Sequence, residues 1–322
     1  MTSVSTPTAP APTPPKPAGG TSRTDGVGRL AALLISPTFL VLGLVVGYPI
    51  LAAFRLAFYQ KNEGVDPETG LVQTGEKFVG LDNFTAMFQG ESGDQFFNAM
   101  YNTTFFMITT VLLETVIGVA MALIMHRALR GRGLIRASIL IPWAIPTAIS
   151  GLLWRYAFQA DGIVNQVFGT EVLWTIDAWQ AKVTIIIADT WKTAPFIGLL
   201  VLAGLQVIPA EVYEAAKVDG ASPWKTFLAI TLPLVKPALV VAVLFRLLDV
   251  LRMFDLPWTL IGPGKDSVET ASMLSFQQAQ QFGNYGLASA YALALFLYIC
   301  VVAFVFVKVL GADVIGSRAG RK

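Results

Sequence analysis

Charge, cysteine and histidine are all scarce in this 322-residue chain, and each scarcity removes a class of protein. Charged residues make up 14% of it, against about 25% in an average soluble domain. Too few are present to cover a water-facing surface of that size, so an ordinary soluble globular fold is excluded. The single cysteine, Cys300, sits in an apolar run, which excludes an internal disulfide and a cysteine metal site. The single histidine, His126, excludes histidine-ligated zinc motifs and histidine-based triads. A formal net charge of +2 gives no case for nucleic acid as a partner. What the chain does have is apolar residues, 54% of the total, and the class that remains is an integral membrane protein.

A helical span needs about 20 mostly apolar residues. Six segments qualify: Leu30–Phe54, Asn98–Met125, Ala137–Trp154, Val183–Leu205, Pro237–Pro257 and Leu287–Val307. The third holds Pro142 and Pro146, which neighbouring helices can accommodate in a membrane. The fold expected is therefore all-α, with six transmembrane helices. Residues 1–28, rich in Pro, Thr, Ala and Ser, read as a disordered tail, residues 29–311 as the membrane domain, and 312–322 as a second tail. The first apolar run exceeds the about 7 to 15 residues of a signal-peptide core, so it reads as an uncleaved span.

Basic residues in short loops set orientation. Lys16, Arg23 and Arg29 precede the first span; Arg127, Arg130, Arg132 and Arg136 follow the second; Lys308, Arg318, Arg321 and Lys322 follow the sixth. The loop after the first span is acidic, with Glu63, Asp66, Glu68, Glu76 and Asp82 among its residues. Both termini and the segment between spans four and five then lie in the cytoplasm.

That segment, about residues 206–236, carries the most information. Pro209 precedes a short helix over Ala210–Val218 that Gly220 stops, as the residue that most cheaply turns left-handed at a helix C-terminus. Ser222 and Pro223 start a second helix as cap and first residue, with Trp224, Phe227, Leu228 and Ile230 on one face. The residues Glu214, Ala215, Ala216, Asp219, Gly220 and Ala221, followed by Phe227, Ile230, Leu232 and Pro233, resemble the EAA loop of ABC importer permeases. Ser36-Pro37, Tyr48-Pro49, Gly80 to Phe84 and Ile141 to Pro146 are similar to the carbohydrate-uptake group of that family, which includes maltose-, trehalose- and glycerol-phosphate-type systems. The likeness covers roughly residues 30–310.

The resemblance implies a permease of the bacterial inner (plasma) membrane that moves a solute inward by alternating access. It implies no cofactor in this chain. ATP and Mg²⁺ belong to two copies of a cytoplasmic ATPase, in keeping with the lack of a Walker A motif here: Gly264-Lys265 is followed by Asp266, and Thr259 replaces the first glycine. Coupling to that ATPase falls on Glu214, Ala215, Ala216, Asp219, Gly220, Ala221, Trp224 and Phe227. The other partners implied are a second, homologous permease and an external substrate-binding protein. The external loop from Pro257 to Lys265, rich in glycine and proline, reads as a contact for the latter.

Charges inside spans are candidates for function by default. Arg246, Asp249, Arg252 and Asp255 recur every third residue in span five, so neighbours meet on a helix. They read either as a ladder of internal ion pairs or as a polar wall for sugar hydroxyls. Position within the family points to Lys192, Phe196, Arg246, Asp249, Arg252 and Met253 as the solute path. Glu114 reads as an ion-pair or hydrogen-bond member, and Trp143, Trp154 and Trp174 as interface anchors or packing residues. The leading solute is a disaccharide such as trehalose or maltose, with glycerol phosphate as the alternative. An ion-coupled secondary carrier using Glu114 and Asp249 is the rival from another class; the EAA loop has no role in such a carrier.

Overall fold

The computed structural model describes residues 24–65, 72–127 and 131–311. The described residues fall into two compact units, divided between Ala52 and Ala53. Helix α1 (Thr24–Leu42), a widened turn over Gly43–Gly47 and helix α2 (Tyr48–Leu56) supply one apolar run, Leu30–Leu56, with no residue of its most apolar window buried inside the chain. Within α1, Pro37 cannot donate to the Leu33 carbonyl one turn back, and the Ser36 hydroxyl donates to it instead, at 2.9 Å. Most of the expected disordered tail lies outside the described residues, but its last part, from Thr24, is helical. Residues 312–322 also lie outside them.

The second unit opens with a feature that an all-α reading does not contain. Strands β1 (Tyr59–Val65) and β2 (Val72–Phe78) pair antiparallel, with Tyr59 opposite Phe78. Buried Asn83, in the short helix α3 (Asp82–Ala86), pins the base of this hairpin by donating to the carbonyls of Ala57 at 2.9 Å and Tyr59 at 3.0 Å. Helix α4 (Gly90–His126) follows. Arg136 closes its far end by donating to the Met125 carbonyl at 2.9 Å, where the exposed carbonyls of a helix C-terminus favour a cation.

The third expected span is not one straight helix. It divides into α5 (Arg132–Ala144) and α6 (Thr147–Ala157), bent by 92°. Ile145 precedes Pro146 and is extended, with ψ 132°, as the proline ring disfavours a helical residue before it. Pro142, by contrast, stays within α5. After α7 (Ile163–Phe168), α8 (Ala178–Leu205) runs through the centre of the unit, with 61% of its most apolar window buried. Close approach to its neighbours rests on glycines. A Cβ at Gly118 of α4 would stand 2.8 Å from the Ile197 side chain and 2.9 Å from the Ala194 carbonyl. Small residues of this kind let membrane helices meet at the backbone.

Helices α9 (Ala210–Val218) and α10 (Pro223–Thr226) lead through a widened turn over Phe227–Thr231 into α11 (Leu232–Val250). The fifth span does not start at Pro237 as expected: Pro233 and Pro237 both lie inside continuous helix. The widened turn explains the first of them. Leu232 N–H bonds the Phe227 carbonyl, five residues back, and a looser turn relieves the clash of a proline ring with the carbonyl four residues back. The same arrangement precedes Pro49, where Tyr48 N–H bonds the Gly43 carbonyl. Helix α11 ends at Val250, short of the expected Pro257. Helices α12 (Asp255–Leu260), α13 (Ala271–Gln280) and α14 (Tyr285–Phe306) complete the chain. Among the described residues, five helices are long and apolar enough to cross a membrane, or six if the bent α5–α6 pair is one span.

Two core clusters flank the middle of α8. Phe106, Ile185, Val250, Leu256 and Leu260 form one, and Met125, Ile197, Leu205, Val235 and Ala242 the other.

Candidate functional site

Between those two clusters lies a group of charges. Glu114 from α4, Asp189 from α8 and Arg246 from α11 are all buried, and the guanidinium sits at their centre. Its Nε donates to Glu114 Oε2 at 2.5 Å and one Nη2 hydrogen to Glu114 Oε1 at 3.0 Å. The other Nη2 hydrogen goes to Asp189, and Nη1 donates to Asp249 Oδ2 at 2.5 Å. Thr193 Oγ1 donates to the Asp189 backbone carbonyl at 2.8 Å. Removing one partner of a buried pair like these costs about 3–5 kcal/mol, because the other charge is left uncompensated.

The ladder expected along the fifth span therefore exists only in its first rung. Among the described residues, no ion pair joins Asp249 to Arg252 or Arg252 to Asp255. Arg252 Nε instead donates to the Leu248 carbonyl at 3.1 Å. The helix ends at Val250, so the spacing that brings every third residue together lapses there.

Asp249 is the exposed end of the group, with 64% of its side chain accessible. It faces two adjoining cavities. One is lined by Thr147, Asp189, Lys192, Thr193, Arg246, Asp249, Arg252, Met253, Phe254 and Asp255, among others. The other, of about 300 Å³, is lined by Trp143, Thr193, Phe196, Phe245, Arg246, Asp249 and Arg252. The expected solute-path residues Lys192, Phe196, Arg246, Asp249, Arg252 and Met253 are thus brought together around these two spaces. The first cavity presents Asp189, Asp249 and Asp255 against Lys192, Arg246 and Arg252, so the formal charges on its wall balance.

Sequence reasoning missed several neighbours. Trp143, read as an interface anchor or packing residue, stacks on Phe196 with ring centres 5.8 Å apart and planes at 25°, and so borders the second cavity. Its place beside Pro142 in a proline-broken span was the available signal. Thr147, Thr193 and Phe245 carried none. Trp154 and Trp174 both pack on Phe158, at 5.2 and 5.3 Å.

The expected coupling segment has a defined geometry. Helix α9 ends where anticipated, and Gly220 adopts φ +69°. Gly220 N–H bonds the Lys217 carbonyl at 3.1 Å, and Ala221 N–H bonds the Ala216 carbonyl at 2.9 Å. This pair of bonds is the Schellman arrangement that closes a helix C-terminus. Ser222 caps α10 by accepting from Lys225 N–H at 3.3 Å. Glu214, Ala215, Asp219 and Gly220 are exposed. Trp224 is exposed too and lies against half-buried Phe227, with ring centres 5.6 Å apart. Ala216 is buried inside the chain, so it packs the segment rather than offering a surface.

The expected loop from Pro257 to Lys265 is helical as far as Leu260, within α12; beyond it Lys265 donates to the carbonyls of Thr175, at 2.7 Å, and Ile176. Partial burial lowers its pKa, against the pull of Asp177. Nearby Glu269 is buried and accepts from Gln277 at 2.8 Å. Burial and the Asp266 charge push its pKa up. Asn102 fastens the segment that leads on to α13 by donating to the carbonyls of Asp266 at 2.7 Å and Glu269 at 3.0 Å.

A family model described as a binding-protein-dependent transport system inner membrane component matches residues 114–316. The chain is 37% identical over 287 residues to the trehalose/maltose transport system permease protein MalF of Thermococcus litoralis, covering 87% of this chain and 93% of that one. It is 34% identical over 291 residues to the trehalose transport system permease protein SugA of Mycobacterium tuberculosis, covering 90% and 91%. Among solved structures, a chain of a bacterial ABC transporter that imports the acidic polysaccharide alginate superposes with a TM-score of 0.73 at 23% identity, covering 92% of this chain and 99% of that one. At that identity the likeness is one of fold.

Proposed function

The chain belongs to the family of binding-protein-dependent transport system inner membrane components, and from that premise we propose that it is the sugar-translocating permease of an ABC importer. It is a multi-pass membrane protein and a transport subunit. The cargo is a disaccharide of the trehalose or maltose kind, taken in through the space between α8 and α11.

The observation that carries this reading is the make-up of the two cavities. Opposite charges balance on the wall of one, and the stacked Trp143–Phe196 pair borders the other. A sugar offers hydroxyls that both donate and accept, and apolar ring faces that lie on aromatic rings. An anionic solute such as glycerol phosphate would call for excess positive charge, which the balanced wall does not supply.

Both termini lie in the cytoplasm with the bent α5–α6 pair counted as one crossing. The Glu214–Phe227 segment, about residues 206–236 overall, then meets a separate cytoplasmic ATPase that binds ATP and Mg²⁺ and is present in two copies. Glu214 supplies an exposed charge, and Val218 and Trp224 an exposed apolar surface. A second, homologous permease completes the translocation path, and an external binding protein delivers the sugar. Closure of the ATPase pair moves α9, and with it α8 and α11 on either side, to alternate access.

Extraction of the tagged chain from its native membrane in mild detergent tests this assembly. Co-purification of a second permease and a nucleotide-hydrolysing ATPase is expected. Recovery of the chain alone, still moving solute in vesicles without ATP, would overturn it in favour of a secondary carrier.

A further inference from the structure

We infer that Glu114 and Asp189 work through Arg246 to position Asp249 as the acceptor of the solute's hydroxyl groups, with Arg246 itself making little or no contact with the solute. This rests on the sugar-permease reading above and assigns a new task to α4, which places no side chain in either cavity wall described.

Hydrogen-bond capacity separates the roles of Arg246 and Asp249. Arginine is a donor only. Arg246 has its Nε, both Nη2 hydrogens and one Nη1 hydrogen committed to three carboxylates. One Nη1 hydrogen remains, on a side chain that is 3% exposed. Asp249 is placed the other way round. Its Oδ2 is held by Arg246, while the side chain is largely open to both cavities, so Oδ1 is the oxygen free to accept.

The guanidinium is planar and its donors are fixed in direction. Its bidentate contact with Glu114, 132 residues away in the chain, sets the plane, and Asp189 locks the second side. The direction of Nη1, and with it the carboxylate of Asp249, follows. A side chain at a helix end with no such brace would lose rotamer freedom on each binding event. Prior ordering by the three-helix brace removes that cost, as preorganisation does in general.

The test uses the full complex with its binding protein in ATP-loaded proteoliposomes, and radiolabelled trehalose and maltose as probes. The readout is sugar taken up per ATP hydrolysed. A solute-positioning role makes this ratio fall about tenfold in Glu114→Gln, the scale of one charge-assisted hydrogen bond, while hydrolysis stimulated by the loaded binding protein persists. Asp249→Asn should lower the ratio by a similar factor, and the double variant no further, since residues acting as one unit are not additive. A Glu114→Gln ratio equal to wild type, or full additivity in the double variant, would overturn the inference. So would parallel loss of uptake and hydrolysis in both Glu114→Gln and Arg246→Lys, which is the pattern of a purely structural brace. Where Glu114→Gln does not assemble, Arg246→Lys alone decides, because lysine keeps the charge without the planar fork. No uptake of either sugar by the wild type is a different result, and it counts against the sugar-permease reading itself.

Discussion

Glu269 shows how one buried side chain turns into a measurable property. It lies in the loop before α13, outside the candidate spans, and its carboxyl pKa is raised by burial first and by Asp266 second. A raised carboxyl pKa means that the neutral form suits the folded state. Its contribution to stability is complete below the ordinary value near 4.5 and is lost as pH rises through the folded value. Glu269→Gln keeps an oxygen that accepts from Gln277 and removes the ionisation. The variant is expected to melt at or above the wild-type temperature at pH 8 and to change less between pH 5 and pH 8. A variant less stable than wild type at pH 8 would contradict the assignment. At this scale the sequence was uneven. The third-residue spacing of Arg246 and Asp249 was legible because it is local. The pairing of Arg246 with Glu114 was not, because helix periodicity says nothing about which distant helix supplies a partner.

Elements were legible where their signals are local and strong. The α9 boundaries, the Gly220 stop and the Ser222 cap all follow from backbone chemistry within a few residues. Prolines were harder. Pro146 breaks a span while Pro233 and Pro237 do not, and a widened turn such as Phe227–Thr231 leaves no mark in composition. The β1–β2 hairpin was also hidden, since Tyr59 to Val65 lacks the apolar–polar alternation of a half-buried strand. One prediction belongs to the α9–α10 element. Nothing lies within 4 Å of a Cβ placed at Gly220, so Gly220→Ala acts through its left-handed φ alone, at a cost of about 1–2 kcal/mol. Because the segment is exposed, the variant is expected to keep its melting temperature within a few degrees while ATP hydrolysis by the complex responds less to the loaded binding protein. Unchanged stimulation would show that the shape of this turn does not transmit the signal.

For the whole molecule, the apolar share of the chain and its long apolar runs were enough to identify a multi-pass membrane protein. The sequence did not reveal that α4, α8 and α11 meet at one buried guanidinium, or that the proline-broken third span brings Trp143 onto Phe196. Both depend on packing between segments far apart in the chain. The charge-balanced cavity between α8 and α11 is the centre of the account, and its most direct test is uptake of radiolabelled trehalose by proteoliposomes. These would contain the complex purified from its own membrane, with its binding protein outside and ATP inside. Accumulation is expected to require ATP and the binding protein and to be unaffected by an excess of glycerol phosphate. Uptake that proceeds without ATP, or that glycerol phosphate abolishes, would contradict the sugar-permease reading.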